Sequence, residues 1–148
     1  MPKGTPPRAG RRRALLRFPP IEPNESLTVA RQLFDESRVH PAIRDRIANE
    51  GRAVIAEVQA AIAAHRVVVV GMAMNPFPRK ARKFLDAAGV PYKYLEYGSY
   101  FSNWRKRLPL KLWTGWTTFP MVFVDGQFIG GAGDLARLDP ALLKKAAQ

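Results

Sequence analysis

Apolar residues recur at helical spacing over Ile43, Ile47, Val54, Val58 and Ile62, up to about Ala64. Gly51 interrupts this stripe, which predicts two helices or one bent one. Val39-His40-Pro41 reads as the helix start, with proline at the first helical position, and His65 stands at the far end, where the helix dipole favours it. Upstream, Asn24 is placed to cap a short helix carrying Leu27, Ala30, Leu33 and Phe34 on one face. After His65 the period changes. Four consecutive valines within Arg66 to Gly71 mark a strand buried on both faces. Asn75 to Ala88 reads as helix, ended by Gly89, and Pro91 to Tyr97 alternates as a strand. Ser99 is placed to cap a helix running from Tyr100 to about Trp113, interrupted at Pro109. Phe119 to Val124 is a strand, Asp125-Gly126 a hairpin turn, and Gln127 to Ile129 its return. Gly130-Gly131 leads into a final helix or helices from about Gly133 to Ala146. The order from residue 52 is α-β-α-β-α-β-β-α. A βαβ unit followed by a hairpin predicts a small, mixed, four-stranded α/β sheet with helices on both faces.

Charge divides the chain unevenly. Of 148 residues, 24 are Lys or Arg and 12 are Asp or Glu, a net charge of +12. Lys3, Arg8, Arg11, Arg12, Arg13 and Arg17 fall within residues 1–21, which hold no acid and five prolines. The prolines oppose an amphipathic presequence helix, and Ala14-Leu15-Leu16 is too short for the apolar core of a secretory signal. Three segments are expected: a disordered or partner-ordered basic arm over 1–21, a helical extension over 22–51, and a folded domain over 52–148. Arg11, Arg12 and Arg13 are candidate contacts to an acidic protein surface or a nucleic acid. No apolar run approaches the length of a membrane span. A cytoplasmic location is expected, or an organellar matrix if the Arg-rich start is a targeting segment.

The sequence contains no cysteine. That excludes disulfides, thiolate-ligated zinc, cysteine-held iron–sulfur clusters and any thiol nucleophile supplied by this chain.

Four landmarks occur in order: the valine strand, Asn75-Pro76-Phe77-Pro78 opening the next helix, Thr118-Phe119-Pro120 before Met121-Val122-Phe123-Val124, and Gly130-Gly131-Ala132-Gly133-Asp134-Leu135. Over residues 52–139 this arrangement resembles the glutaredoxin branch of the thioredoxin fold. Trp116, just before the Thr-Phe-Pro run, is similar to the monothiol glutaredoxins. The resemblance implies a cis peptide bond before Pro120. It also places Asn75-Pro76-Phe77-Pro78 at the family's CPYC or CGFS motif, so Asn75 and Pro78 stand where thiols would be. Met72 stands where the family often has a lysine. Asparagine has no redox chemistry, so thiol–disulfide exchange is chemically closed to this chain alone. The residues of NPFP make a good helix start in their own right, with an N-cap followed by proline; the alternative is that Asn75 donates to a ligand.

The resemblance further implies a glutathione-type pocket. Phe119 is the residue whose backbone would pair with the cysteinyl part, beside Thr118 and Pro120. Gly133 and Asp134 would receive the γ-glutamyl carboxylate, and Lys111 or Arg107 the glycine carboxylate. The fold itself needs the same backbone features, so retention for folding stands beside retention for binding. A second cluster interleaves Tyr92, Tyr94, Tyr97, Tyr100, Phe101, Trp104, Trp113 and Trp116 with Lys93, Arg105, Lys106, Arg107 and Lys111. Trp104, Leu108 and Leu112 share one helical face, which reads as core with a solvated basic face opposite. The alternatives are a protein-binding face, with Trp104, Arg105 and Arg107 at its centre, or a surface that stacks bases and holds phosphates. The expected function is a redox-inactive, glutaredoxin-like binding or assembly module, a candidate subunit of a larger complex, with glutathione as the one candidate cofactor. The rival readings are a glutathione-binding protein that borrows the bound thiol, and a nucleic-acid-associated basic protein.

Overall fold

The computed structural model describes residues 30–144. Arg11, Arg12, Arg13, the Asn24 cap and Leu27 lie outside the described residues. Among the described residues the first elements are a 3-10 turn (Glu36–Arg38) and helix α1 (Pro41–Asn49). It continues through α2 (Arg52–Ala64), β1 (Val67–Gly71), α3 (Pro76–Ala88), β2 (Lys93–Glu96), α4 (Trp104–Thr114), β3 (Met121–Val124), β4 (Gln127–Gly130), α5 (Ala132–Leu135) and α6 (Pro140–Lys144).

The valine run sets the architecture. Successive strand side chains point to opposite faces, so Val68 and Val70 enter one core layer while Val67 and Val69 enter the other. All five residues of β1 are buried, as they must be in a strand covered on both faces. The sheet order is β2-β1-β3-β4. β1 runs parallel to β2, with Val69 opposite Tyr94, and antiparallel to β3, with Val69 opposite Val122. The β3–β4 hairpin turns on Asp125 and Gly126, both at positive φ (52° and 76°), the conformation that a tight two-residue hairpin demands. Helices α2 and α4 cover one face, with Val54, Val58 and Leu110 against Met121 and Phe123. α3, α5 and α6 cover the other, where Leu85, Leu135 and Leu143 close over Val122 and Val124. This is the four-stranded mixed sheet that the pattern predicts.

Gly51 does divide the helical stripe. It adopts φ 67°, and a Cβ there would collide with the Pro109 ring of α4. Glycine therefore serves twice here, allowing the left-handed turn and the close approach of α2 to α4. The turn swings α1 out of line with α2, so Ile43 and Ile47 are exposed whereas Val54 and Val58 are buried.

Several expectations change. Residues 30–35 carry no helix, and Leu33 and Phe34 are exposed; the Asp35 carboxylate instead caps the 3-10 turn through the Ser37 N–H at 2.9 Å. Of the one or more helices expected after Gly131 the structure has two, because Asp139 caps a new start by accepting the Ala141 N–H at 2.9 Å and Pro140 supplies its first position. Ser99 does not cap α4. Ser99 and Ser102 close a local turn in which Ser99 Oγ accepts the Phe101 N–H at 3.2 Å, and the helix begins at Trp104.

The largest correction concerns the face that α4 buries. Trp104, Leu108 and Leu112, read as its core face, are exposed. Arg107, Pro109 and Leu110 are buried in their place. Arg107 Nη1 donates to the Tyr97 carbonyl at 2.9 Å and the Ser102 carbonyl at 2.6 Å. An expected partner-facing or carboxylate-binding cation thus serves the interior, tying α4 to the segment after β2.

Candidate functional site

The site lies where the start of α3 meets the turn before β3. Asn75 holds extended backbone, and its side-chain oxygen accepts the Phe77 N–H at 2.9 Å. Pro76 and Pro78 then occupy positions whose N–H groups would have no helical partner. Met74, immediately before the cap, is exposed and held at φ 64°. Across the gap, the Phe119–Pro120 peptide is cis, and the Phe119 carbonyl accepts a long hydrogen bond of 3.5 Å from Asn75 Nδ2. The carboxamide thus fastens the helix start to the cis-proline turn, while Phe77 beside it is exposed.

Further residues converge on the same turn. Lys111 Nζ lies 5.8 Å from the centroid of the buried Phe119 ring. A Cβ on Gly131 would make ordinary contact with the Pro120 carbonyl at 3.6 Å and the Trp116 ring at 3.7 Å, which places the α5 turn against this neighbourhood, whereas Gly130, at φ 107°, would set a Cβ against the Asp134 carboxylate. Asp134 Oδ2 accepts the Gly131 N–H at 2.9 Å and so caps α5. Gly133 is exposed with open space beside it, and Thr118 is exposed. The Trp116 indole N–H is buried and has no acceptor among the described residues.

Of the predicted pocket residues, Asn75, Lys111, Phe119 and Pro120 come together, with Asp134 at the glycine turn. Arg107 does not join them. Trp116, not assigned to the pocket from sequence, packs into it; its place two residues before Thr118 was the available signal. Arg105 lies on the far side of α4's exposed face, its guanidinium 5.4 Å from the Trp104 ring.

Chemically, the helix start offers the Asn75 carboxamide, with its oxygen on the Phe77 N–H and its nitrogen on the Phe119 carbonyl. The residues fit one ligand class in part. Lys111, the Phe119 backbone and the unpaired Trp116 N–H suit a small anionic peptide, but Asn75 supplies no sulfur. They do not fit a cluster ligated by the chain's own thiolates, since there are none. No group of three His, Cys, Asp or Glu poised to hold a metal occurs among the described residues.

A mixed sheet in this order, with a cis-proline turn facing a helix start, defines a thioredoxin-type fold. The profile for glutaredoxin matches residues 67–129. The chain is 58% identical over 81 residues to a glutaredoxin-like protein of Dictyostelium discoideum, a match covering 55% of this chain and 66% of that protein, just under two thirds of its length. It is 32% identical over 75 residues to glutaredoxin 1 of Rickettsia typhi, covering 51% of this chain and 71% of that one. The crystal structure of wheat glutaredoxin superposes with a TM-score of 0.57 at 29% identity, over 65% of this chain and 97% of that chain. The chain belongs to the glutaredoxin family, as a member without cysteine.

Proposed function

We propose that this chain is a redox-inactive binding or assembly module, working as a subunit with a protein that presents an acidic surface. One observation carries the reading. At the position of the family's reactive thiol, the Asn75 carboxamide is engaged on both sides, by the Phe77 N–H and the Phe119 carbonyl. The helix start is therefore completed as structure, with neither thiol nor open anion position left for exchange chemistry. The net charge of +12 supports an acidic counterpart. We place the protein in the cytoplasm, or in an organellar matrix if residues 1–21 act as a targeting segment.

The test has two arms. Wild-type protein, in a glutathione-coupled assay with hydroxyethyl disulfide, is expected to give the uncatalysed rate, whereas Asn75→Cys is expected to give an alkylatable thiol with a lowered pKa. The tagged chain, recovered from its native cells under strong reductant, is expected to retain a stoichiometric protein partner. Wild-type turnover refutes the reading, as does recovery without any partner.

A second reading, glutathione binding, is favoured by the Lys111 ammonium beside Phe119 and by the unpaired Trp116 N–H. Glutathione titration followed by Trp fluorescence decides it. Saturation that weakens in Lys111→Glu supports it, and a flat titration removes it.

A further inference from the structure

The exposed face of α4 carries an apolar stripe beside the exposed Arg105 and Lys106. Phe101 is 87% exposed, Trp104 57%, Leu108 47% and Leu112 65%. At 100° per residue, Trp104, Leu108 and Leu112 form one stripe about 80° wide and about 12 Å long; Phe101 lies in the turn that precedes the helix. Arg105 borders it on one side and Lys111 on the other. The segment from Tyr97 to Val124 contains no acid. Among the described residues the salt bridge formed is Arg66–Asp125, so neither bordering cation is neutralised there. Contiguous exposed apolar surface rimmed by charge marks an interaction site.

We infer that this stripe docks an acidic amphipathic helix of a partner protein, one with leucine-like residues along its seam and Asp or Glu at the seam's edges. The inference rests on the binding-module reading and names its surface. Three features select this occupant. The stripe has the narrow width of a helix-pair seam, not the broader face of a helix that lies in a membrane interface. The cations sit at the two edges, where a paired helix places its flanking charges. A second copy of this chain fits poorly, because an antiparallel α4 pair centred on Leu108 sets Arg105 against Lys111 at both ends, in molecules already carrying +12 each. The chain's own residues 1–21, with six cations and no acid, present the wrong charge as well.

The experiment uses the full chain and a labelled synthetic helix of heptads with Leu at the seam and Glu at its edges. A control peptide carries Lys at the edges. Fluorescence anisotropy is expected to show saturable binding of the Glu peptide, weakened by salt, and no binding of the Lys peptide. Trp104→Ala and Leu108→Ser, both at exposed positions, are each expected to weaken binding about 10-fold with unchanged circular dichroism. Arg105→Glu is expected to lower the on-rate and shift preference toward the Lys peptide. The inference is overturned by no saturation, by equal binding of both peptides, or by indifference to the stripe variants. Preferential binding to phosphatidylserine-containing vesicles overturns it too, as does peptide binding that emerges only when residues 1–29 are deleted. A failed peptide titration beside a retained stoichiometric partner overturns this surface and leaves the binding-module reading standing.

Discussion

Asn75 and Phe119 are joined side chain to main chain, the Asn75 carboxamide reaching the Phe119 carbonyl at 3.5 Å while also capping α3. The cap is the stronger half of this arrangement, at 2.9 Å. Asn75→Ala removes both bonds and is expected to cost about 1 kcal/mol. Asn75→Asp keeps an N-cap acceptor and adds a favourable charge at the positive end of the helix; it gives up the bond to Phe119 and is expected to stay close to wild type. Urea denaturation of the two variants checks this, and an alanine variant of undiminished stability would show that the side chain is held for a ligand rather than for the helix.

Arg107 and Trp104 reverse the usual division of a helix into apolar inside and charged outside. Arg107→Ala leaves the buried carbonyl of Tyr97 and the part-buried carbonyl of Ser102 without this donor, and the expected loss is about 3 kcal/mol. Arg107→Lys keeps a cation but loses the planar fork, so an intermediate loss is expected. Trp104→Ala, at an exposed position, is expected to change stability by less than about 0.5 kcal/mol. Thermal denaturation of the three variants compares them, and the opposite ranking would restore Trp104 to the core.

That pair also shows where sequence reading succeeds and where it stops. Val67–Val70, Asn75-Pro76, Gly89 and Asp125-Gly126 each state a local rule that tertiary structure did not override: burial on both faces, an N-cap, a left-handed helix end, a tight hairpin. The helix start facing Thr118-Phe119-Pro120 was legible for the same reason, together with the family resemblance. α4 was not. Leu108, Pro109, Leu110, Leu112 and Trp113 spread apolar groups over about 200° of the helix, so periodicity does not select which part of that arc is buried. The choice is made by neighbours distant in sequence, with Gly51 admitting Pro109 and the Tyr97 carbonyl taking Arg107. A reading that assigns leucines inward and arginines outward inverts this helix, and the exposed stripe then stands only in the alternative reading of Trp104 and Arg105 as a protein-binding face.

Tyr94 ties stability to alkaline pH. Burial, then the hydrogen bond to Glu96 and its negative charge, push the phenol from 10.0 up to about 12, with Arg82 opposing. The Tyr94 hydroxyl donates to Glu96 Oε1 at 3.1 Å, and the Arg82 guanidinium lies 4.2 Å from the Tyr94 ring centroid. The folded state therefore favours the neutral phenol. Its contribution is complete below pH 10 and is lost as pH rises toward 12. Tyr94→Phe is expected to flatten the decline of melting temperature across that window. Tyr97, also shifted upward by burial and by Glu57, keeps part of the slope. An unchanged slope in Tyr94→Phe would assign the alkaline transition elsewhere.

Deletion of residues 1–20 separates the roles of charge and core. Among the described residues both core layers are built between Val54 and Leu143, and residues 1–20 show no apolar periodicity in the sequence, so the truncated chain is expected to keep its melting temperature within a few degrees. The deletion takes away Lys3, Arg8, Arg11, Arg12, Arg13 and Arg17, half of the net +12. Long-range attraction to acidic partners is expected to fall accordingly, seen as slower association and weaker dependence on salt. Toward a nucleic acid, each phosphate that the shortened chain no longer neutralises would lower the logarithmic salt slope by about 0.9. Binding of the acidic helical peptide at low salt is expected to weaken only modestly, because Trp104, Leu108 and Arg105 remain. A large drop in melting temperature would mean that the segment packs against the domain through Leu15, Leu16 and Phe18, and unchanged association rates would leave recognition to the α4 face alone.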